Sequence, residues 1–274
     1  MRIFLAGGSG VIGRGLIPRL VEAGHDVTAT TRESDRTETI AALGGTPAIL
    51  DVFEAEAVNR TVAAAKPDVI LHMFTDLSGL DFDANARIRR EGTRNLVSAA
   101  SAAGVDRLIL QSIAWAFPDG EGVATEDIPI APGTPVDAME QIAKELPHVT
   151  ILRFGTLYGP GTWYSRDGHF GRAVSAGALP ASPAITSFVH IDDALTAIVQ
   201  SLSWPDGTYL ITDDESAPAT VWMPVFAGAI DAPEPPVAPL NPEKPAGRII
   251  SNAKARAAGW TPRHATWREG FTQL

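Results

Sequence analysis

Through the first two thirds of the chain, short runs of consecutive apolar residues alternate with stretches whose apolar side chains recur every three or four positions. Val69-Ile70-Leu71 and Leu108-Ile109-Leu110 carry no polar alternation, as expected of strands covered by helices on both faces. The runs predict strands at residues 2–6, 26–31, 46–50, 68–73, 107–111 and 150–153. The helical periods between them predict helices at 12–23, 33–43, 54–65, 84–103 and 135–146. Strand and helix alternating at this spacing predict an α/β fold, a Rossmann-type doubly wound parallel sheet.

Beyond residue 155 the alternation breaks. Gly159-Pro160-Gly161 opens a loop with aromatic residues, followed by a helix near 168–176, a strand-like 187–190, a helix at 191–203 and a strand at 207–212. Residues 231–247 are proline-rich and predict an extended connector. A short helix at 252–258 and Gly259-Trp260-Thr261-Pro262 follow, and no internal repeat is visible. The expected organisation is a dinucleotide-binding core at 1–155 and a small C-terminal substrate lobe at 156–274. Elements of the lobe return to the core, so that the two make one compact unit.

Composition narrows the chemistry. The 274 residues are 45% hydrophobic and 20% charged, ordinary for a soluble domain, and the formal charge is −10. With no clustered Lys and Arg, nucleic acid is not an expected partner. There are no cysteines, which excludes disulfides, thiolate metal sites and cysteine nucleophiles. The opening apolar run is too short for a signal peptide and ends in glycines. No stretch approaches membrane-spanning length, so a cytoplasmic protein is expected. The sequon at Asn59-Arg60-Thr61 carries no weight without a secretion signal.

The first strand runs directly into Gly7-Gly8-Ser9-Gly10-Val11-Ile12-Gly13, which opens the first helix. Gly7 permits a tight turn, Gly10 lets backbone approach a pyrophosphate, and Gly13 permits close helix–strand packing. Ser9, Val11 and Ile12 complete a loop whose N–H groups face the anion. At the end of the second strand, where an NAD-selective site places a carboxylate on the ribose, stands Thr31-Arg32. Arg32 is suited to a 2′-phosphate, which favours NADP over NAD. Glu33 complicates this, as a helix cap or a ribose contact. Asp51, with Val52 beside it, is placed either to receive the adenine amino group or to cap the next helix.

The chain resembles the extended short-chain dehydrogenase/reductase family, which contains nucleotide-sugar epimerases and dehydratases. The resemblance rests on Gly7–Gly13, the strand 69–73, Glu91-Gly-Thr-Arg-Asn-Leu96 and Leu110-Gln-Ser112. It continues through Leu152-Arg-Phe-Gly155-Thr-Leu-Tyr-Gly159-Pro-Gly161, Ser187-Phe-Val-His190-Ile-Asp-Asp193 and Gly259-Trp-Thr-Pro262. It implies that Met73, Phe74 and Thr75 lie against the cofactor and that Phe154, Gly155, Thr156 and Leu157 border the nicotinamide. It also implies that His190, Asp192 and Asp193 cap a helix and brace the lobe. A dimer through 84–103 and 135–146 is a family-level expectation.

One family feature is missing. The Tyr-x-x-x-Lys pair that moves the proton should follow Ser112 on the helix before the sixth strand. Counting about 25 residues from Ser112 reaches Val136 and Asp137, where no tyrosine stands, and four residues beyond Val136 is Glu140. Ser112 remains either a hydrogen-bond donor to a substrate carbonyl or a plain strand-end serine. Tyr164, on the loop expected to cross the pocket, is the candidate general acid or else a packing residue. Asp137 and Glu140 are possible bases, more simply explained as a solvated helix face. The six histidines have no metal spacing, although His169 is a possible pocket residue. Trp115, Phe117, Trp163 and Phe170 suggest an aromatic pocket for an apolar or ring-shaped substrate. The expected function is an atypical NADP(H)-dependent oxidoreductase or epimerase-like enzyme acting on a small carbonyl or alcohol. The alternatives are a non-catalytic NAD(P)-binding sensor and a non-redox isomerase or lyase.

Overall fold

In the computed structural model the described residues are 1–75, 81–241 and 246–274. The chain divides into two compact units. The first comprises Met1–Ser112, Pro132–Leu152 and Ile198–Gly207; the second comprises Ile113–Ala131, Arg153–Ala197 and Thr208–Leu274. The chain thus changes unit first at Ser112, where the sequence suggests residue 155.

The sheet is built from β1 (Arg2–Ala6), β2 (Asp26–Thr31), β3 (Thr46–Ile49), β4 (Val69–His72), β5 (Arg107–Ile113), β6 (His148–Phe154) and β7 (Gly207–Ile211). Its order is β7-β6-β5-β4-β1-β2-β3. The pairs β1–β2, β1–β4, β2–β3 and β4–β5 are parallel, with Leu5 opposite both Ala29 and Leu71 and His72 opposite Leu110. Strand order reverses between β1 and β4, the point at which open α/β sheets leave a crevice at their carboxyl ends. Phe4, Leu5, Val69, Ile70, Leu71, Leu108, Ile109 and Leu110 are fully buried, which explains the unbroken apolar runs.

The first unit's helices are α1 (Val11–Glu22), α2 (Thr37–Ala42), α3 (Ala55–Ala65), α4 (Phe82–Arg87), α5 (Thr93–Ala102) and α6 (Pro135–Ala143). A 3-10 turn at Ser34–Arg36 precedes α2, so the helix expected over 33–43 is shorter. The helix expected over 84–103 is interrupted by a π-helical segment at Ile88–Gly92. α5 packs against both α3 and α6.

The second unit has an aromatic core of Tyr158, Phe188, Trp222, Phe226, Trp267 and Phe271. Its helices include α7 (His169–Ser175), α8 (Ile191–Ser201, ending in the first unit), α9 (Ala219–Ala229), α10 (Ala253–Ala257) and α11 (Trp267–Phe271). The parallel pair Thr156–Tyr158 and Phe188–His190 lies beside it. Gly155 leads into that pair where a Cβ would lie 2.7 Å from the Ser187 carbonyl oxygen, so only glycine fits. Of the proline-rich connector, 242–245 lie outside the described residues; the remainder has neither helix nor strand, only a bridge at Val237.

Candidate active site

The glycine loop is closed on one side and open on the other. Gly7 has φ +100°, and a Cβ there would lie 2.8 Å from the Met73 carbonyl oxygen. A Cβ on Gly13 would lie 2.3 Å from the Gly7 carbonyl oxygen. Thr30 fixes the turn, its hydroxyl accepting from Gly7 N at 3.1 Å and its carbonyl from Gly8 N at 2.8 Å. At Gly10 the nearest atom to a Cβ is 3.4 Å away, so this position can tolerate close approach. Gly10 caps α1 in an extended conformation with no side-chain hydrogen bond, and the first turn holds no acidic residue. Among the described residues the first-turn N–H groups of Val11, Ile12 and Gly13 have no side-chain acceptor, an arrangement that fits a pyrophosphate.

At the end of β2, Thr31 is buried and its hydroxyl accepts from Glu33 N at 3.2 Å. The Glu33 carboxylate pairs with Arg36. No carboxylate therefore stands at the Thr31 position, while Arg32 is exposed. Asp51 accepts from Phe53 N at 2.9 Å, which shapes the turn before α3; the cap position itself is Glu54. Asn95 of α5 donates to the Val52 carbonyl at 2.8 Å and holds that turn against the helix layer.

At the end of β4, His72 is buried, with Nε2 2.8 Å from Thr93 Oγ1 and its ring 4.0 Å from that of Phe74. Burial, ahead of the nearby Arg89 charge, lowers its pKa to about 4 and keeps it neutral. Met73 and Phe74 are buried and Thr75 is exposed. A Cβ on Gly92 would lie 3.0 Å from Val52 and 3.3 Å from Phe74, so the π segment seats directly on two of the expected cofactor-lining residues.

Two residues beyond Leu110, Ser112 donates from Oγ to Glu140 Oε1 of α6 at 2.7 Å. Both are 1% exposed. The solvated-face reading of Glu140 is therefore wrong. Val136, Met139, Glu140 and Ala143 form the buried stripe of α6, an i, i+3, i+4, i+7 pattern in which Glu140 occupies a core position. That spacing is the signal in the sequence that could have found it. Asp137 lies off the stripe and starts the helix: it accepts from Gly133 N at 2.9 Å, while Thr134 accepts from Asp137 N at 3.1 Å. The single Ser112 hydroxyl proton is engaged by Glu140 and is not offered to a carbonyl.

In the second unit, Phe154 is buried and its carbonyl accepts from Ala114 N at 2.8 Å. Gly155 N donates to Ile211 O at 2.9 Å and Thr156 N to Ser187 O at 2.8 Å. Tyr164 is half-buried among aromatic rings: stacked on Phe170 at 4.6 Å, with Phe188 at 5.4 Å, Trp222 at 5.8 Å and Phe226 at 5.9 Å. This burial raises its pKa above the ordinary phenol value. Trp163, His169 and Phe170 gather beside it, whereas Phe117 is buried under Arg153 and Trp115 is 57% exposed. Trp163, Tyr164, His169 and Phe170 thus form one group.

Residues 3–211 match the NAD dependent epimerase/dehydratase family. The chain belongs to that family. It is 39% identical to the 3-diazoavenalumate denitrifying reductase of a Streptomyces species, over 99% of each chain. Its fold is similar to the Bordetella bronchiseptica enzyme WbmG solved with NAD and UDP (TM-score 0.84, 22% identity, 99% of this chain and 93% of that one). It is also similar to Thermus thermophilus UDP-glucose 4-epimerase solved with NAD (TM-score 0.82, 22% identity, 99% and 97%).

Within an epimerase/dehydratase fold, His190, Asp193 and His264 form the cluster whose ligand-type atoms lie within 4.8 Å of one another. Their hydrogen bonds are met from within the protein. Asp193 accepts from Arg263 N at 2.7 Å, His264 N at 3.0 Å and His264 Nδ1 at 2.9 Å; His190 Nδ1 accepts from Asp192 N at 3.2 Å at the start of α8. The rings of His190 and His264 lie 3.7 Å apart, tilted by 33°, and burial lowers the His190 pKa to about 4. Trp260 donates to the Asp193 carbonyl at 3.1 Å, so the cluster ties the tail to α8. Among the described residues, no helix is long and apolar enough to cross a membrane.

Proposed function

We propose that the protein is an NADPH-dependent reductase whose substrate accepts a hydride without needing a proton, an aromatic diazo compound that loses dinitrogen. The observation that carries this is the Ser112–Glu140 pair. In place of the family's tyrosine and lysine stand an apolar residue, Val136, and a carboxyl group that engages the proton of the remaining serine. A carbonyl reduction develops an alkoxide and calls for a general acid. A reduced nicotinamide supplies a hydride whose electron pair forms the new C–H bond on the ring of an aryl diazonium, while the C–N pair leaves with N₂ and no proton enters.

The 39% identical relative, named for a diazo substrate and for denitrifying reduction, supports this class over a sensor. The chain's own residues bind and orient. The α1 N-terminus takes the pyrophosphate, and Met73, Phe74 and Thr75 lie toward the nicotinamide end. Thr31 and Arg32 favour NADPH, since Thr31 carries no charge and the neighbouring acid Glu33 is paired with Arg36.

The test uses purified protein, 3-diazo-4-hydroxycinnamate and NADPH deuterated at the transferable position. Stoichiometric N₂ and deuterium on the ring carbon are expected, with no label from D₂O at that carbon. The Arg32→Ala variant should lose roughly tenfold in NADPH affinity with NADH little changed. Turnover of ketones or aldehydes with the diazo compound untouched would return the assignment to carbonyl chemistry.

A further inference from the structure

We propose that Arg89 is an anion anchor for the substrate, seating a carboxylate on its guanidinium. This deepens the reading above by naming a second group on the substrate, and rests on that reading only for the aromatic body of the molecule.

Three arginines sit in or beside the π segment, and they are treated differently. Arg87 lies 4.0 Å over the Phe53 ring and donates from Nε to Glu91 at 2.8 Å. Arg90 is exposed. Arg89 is half-buried and, among the described residues, has neither a carboxylate nor a hydrogen-bond acceptor. The chain supplies an acid to Arg87 four residues on, and none to Arg89.

Partial burial of a guanidinium that has no acceptor disfavours its charge, and lowers its pKa accordingly. Such a group is stabilised when a planar oxyanion takes its paired N–H donors. Its surroundings fit an incoming anion. The nearby His72 is held neutral, so it does not compete for one, and the same segment rests through Gly92 on Val52 and Phe74, the expected cofactor wall. π-helical turns inside α-helices recur at functional sites because the wide turn re-aims a side chain. Two oxyanions are within the chemistry of this site, a substrate carboxylate and a phosphate of the dinucleotide. The pyrophosphate already has the open N–H groups of α1. The carboxylate is therefore the occupant assigned.

The experiment reads binding, so it stands even if no diazo compound is turned over. NADP⁺-loaded protein is titrated by calorimetry with 4-hydroxycinnamate and with its amide. Wild type is expected to hold the acid roughly tenfold or more tightly than the amide. Arg89→Gln should abolish that difference and leave the amide's affinity and the NADPH affinity unchanged. Arg89→Lys, which keeps the charge, should retain part of the preference, and its thermal unfolding guards against a folding defect. Equal binding of acid and amide by wild type, no saturable binding of the acid, or a preference surviving in Arg89→Gln would each overturn the proposal. So would loss of NADPH affinity in Arg89→Gln, which would give the guanidinium to the cofactor.

Discussion

Glu140 in the first unit and Asp193 in the second are both carboxylates withdrawn almost wholly from water, at 1% and 3% exposure. Their partners differ in kind. Asp193 accepts from two backbone N–H groups and a histidine ring, all within the chain's own tail. Glu140 accepts from Ser112, a side chain at the carboxyl end of β5. Backbone donors cannot be exchanged by evolution or by protonation, so a carboxylate that gathers them is fastening structure. A carboxylate that takes a hydroxyl at the strand end alters what that hydroxyl can do for a ligand. Burial alone does not separate a functional acid from a structural one; the identity of its donors does.

Removing the structural acid should therefore have the largest effect. Asp193→Ala strands the buried N–H of His264, the part-buried N–H of Arg263 and the His264 ring. A loss of about 3–5 kcal/mol in unfolding free energy is expected, enough to prevent accumulation of folded protein at moderate temperature. Denaturant titration with an intrinsic tryptophan signal checks this. A loss under about 1 kcal/mol would mean that the tail is held by its apolar contacts alone.

Much of the contrast between these acids was legible beforehand, and the reasons for the exceptions are physical. β1 is found at the expected residues because its apolar run is unbroken, and β2 because its Val and Thr residues favour an extended chain. Gly7, Gly10 and Gly13 behave as a dinucleotide loop requires, since each role follows from the lack of a Cβ. Asp193 was recognised from its family segment, but its partner His264 lies 71 residues on, a pairing only the fold creates. Glu140 carries the charge of a solvated position, but it shares the buried stripe of Val136, Met139 and Ala143. The π segment has no periodic signature, so α4 and α5 read as one helix. α9 escaped notice because it is apolar all round and contains Pro224. Arg32 and Asp51 could be placed, but what they hold depends on a ligand.

A third buried acid extends the comparison. Asp213 is 2% exposed; Oδ1 accepts from Glu215 N at 3.2 Å, while Oδ2 is buried and, among the described residues, has no hydrogen-bond partner. Burial, ahead of any charge nearby, raises its pKa to about 8. The folded chain thus keeps a proton that the unfolded chain loses above about 3.8. Its contribution is fully present below that value and is lost as pH rises through the folded value. Stability should fall by up to about 1.4 kcal/mol per pH unit across this window and level off above it. Asp213→Asn should flatten that slope, measured as unfolding midpoints from pH 5 to 9. His72 and His190, both lowered to about 4, act oppositely and weaken the fold below their ordinary value of 6.5. An unchanged slope in Asp213→Asn would assign the dependence to other groups.

The smallest expected effects fall on turnover, and they decide between the two chemistries. Ser112→Ala removes the donor from Glu140 and should cost about 1–3 kcal/mol of stability. Its kcat on a diazo substrate should nevertheless stay within about fivefold, because no proton passes through the serine; general acid–base groups are worth about 10²–10⁴. Tyr164→Phe removes a hydroxyl from a ring held by Phe170, Phe188, Trp222 and Phe226, and should change kcat still less. The two variants fail in different ways if the reading is wrong. A hundredfold fall in Ser112→Ala alone would make the Ser112–Glu140 pair a proton path. The same fall in Tyr164→Phe alone would move the general acid to the second unit and make Glu140 a mere anchor for the serine. Small effects in both leave a site that positions its substrate for hydride and supplies no proton.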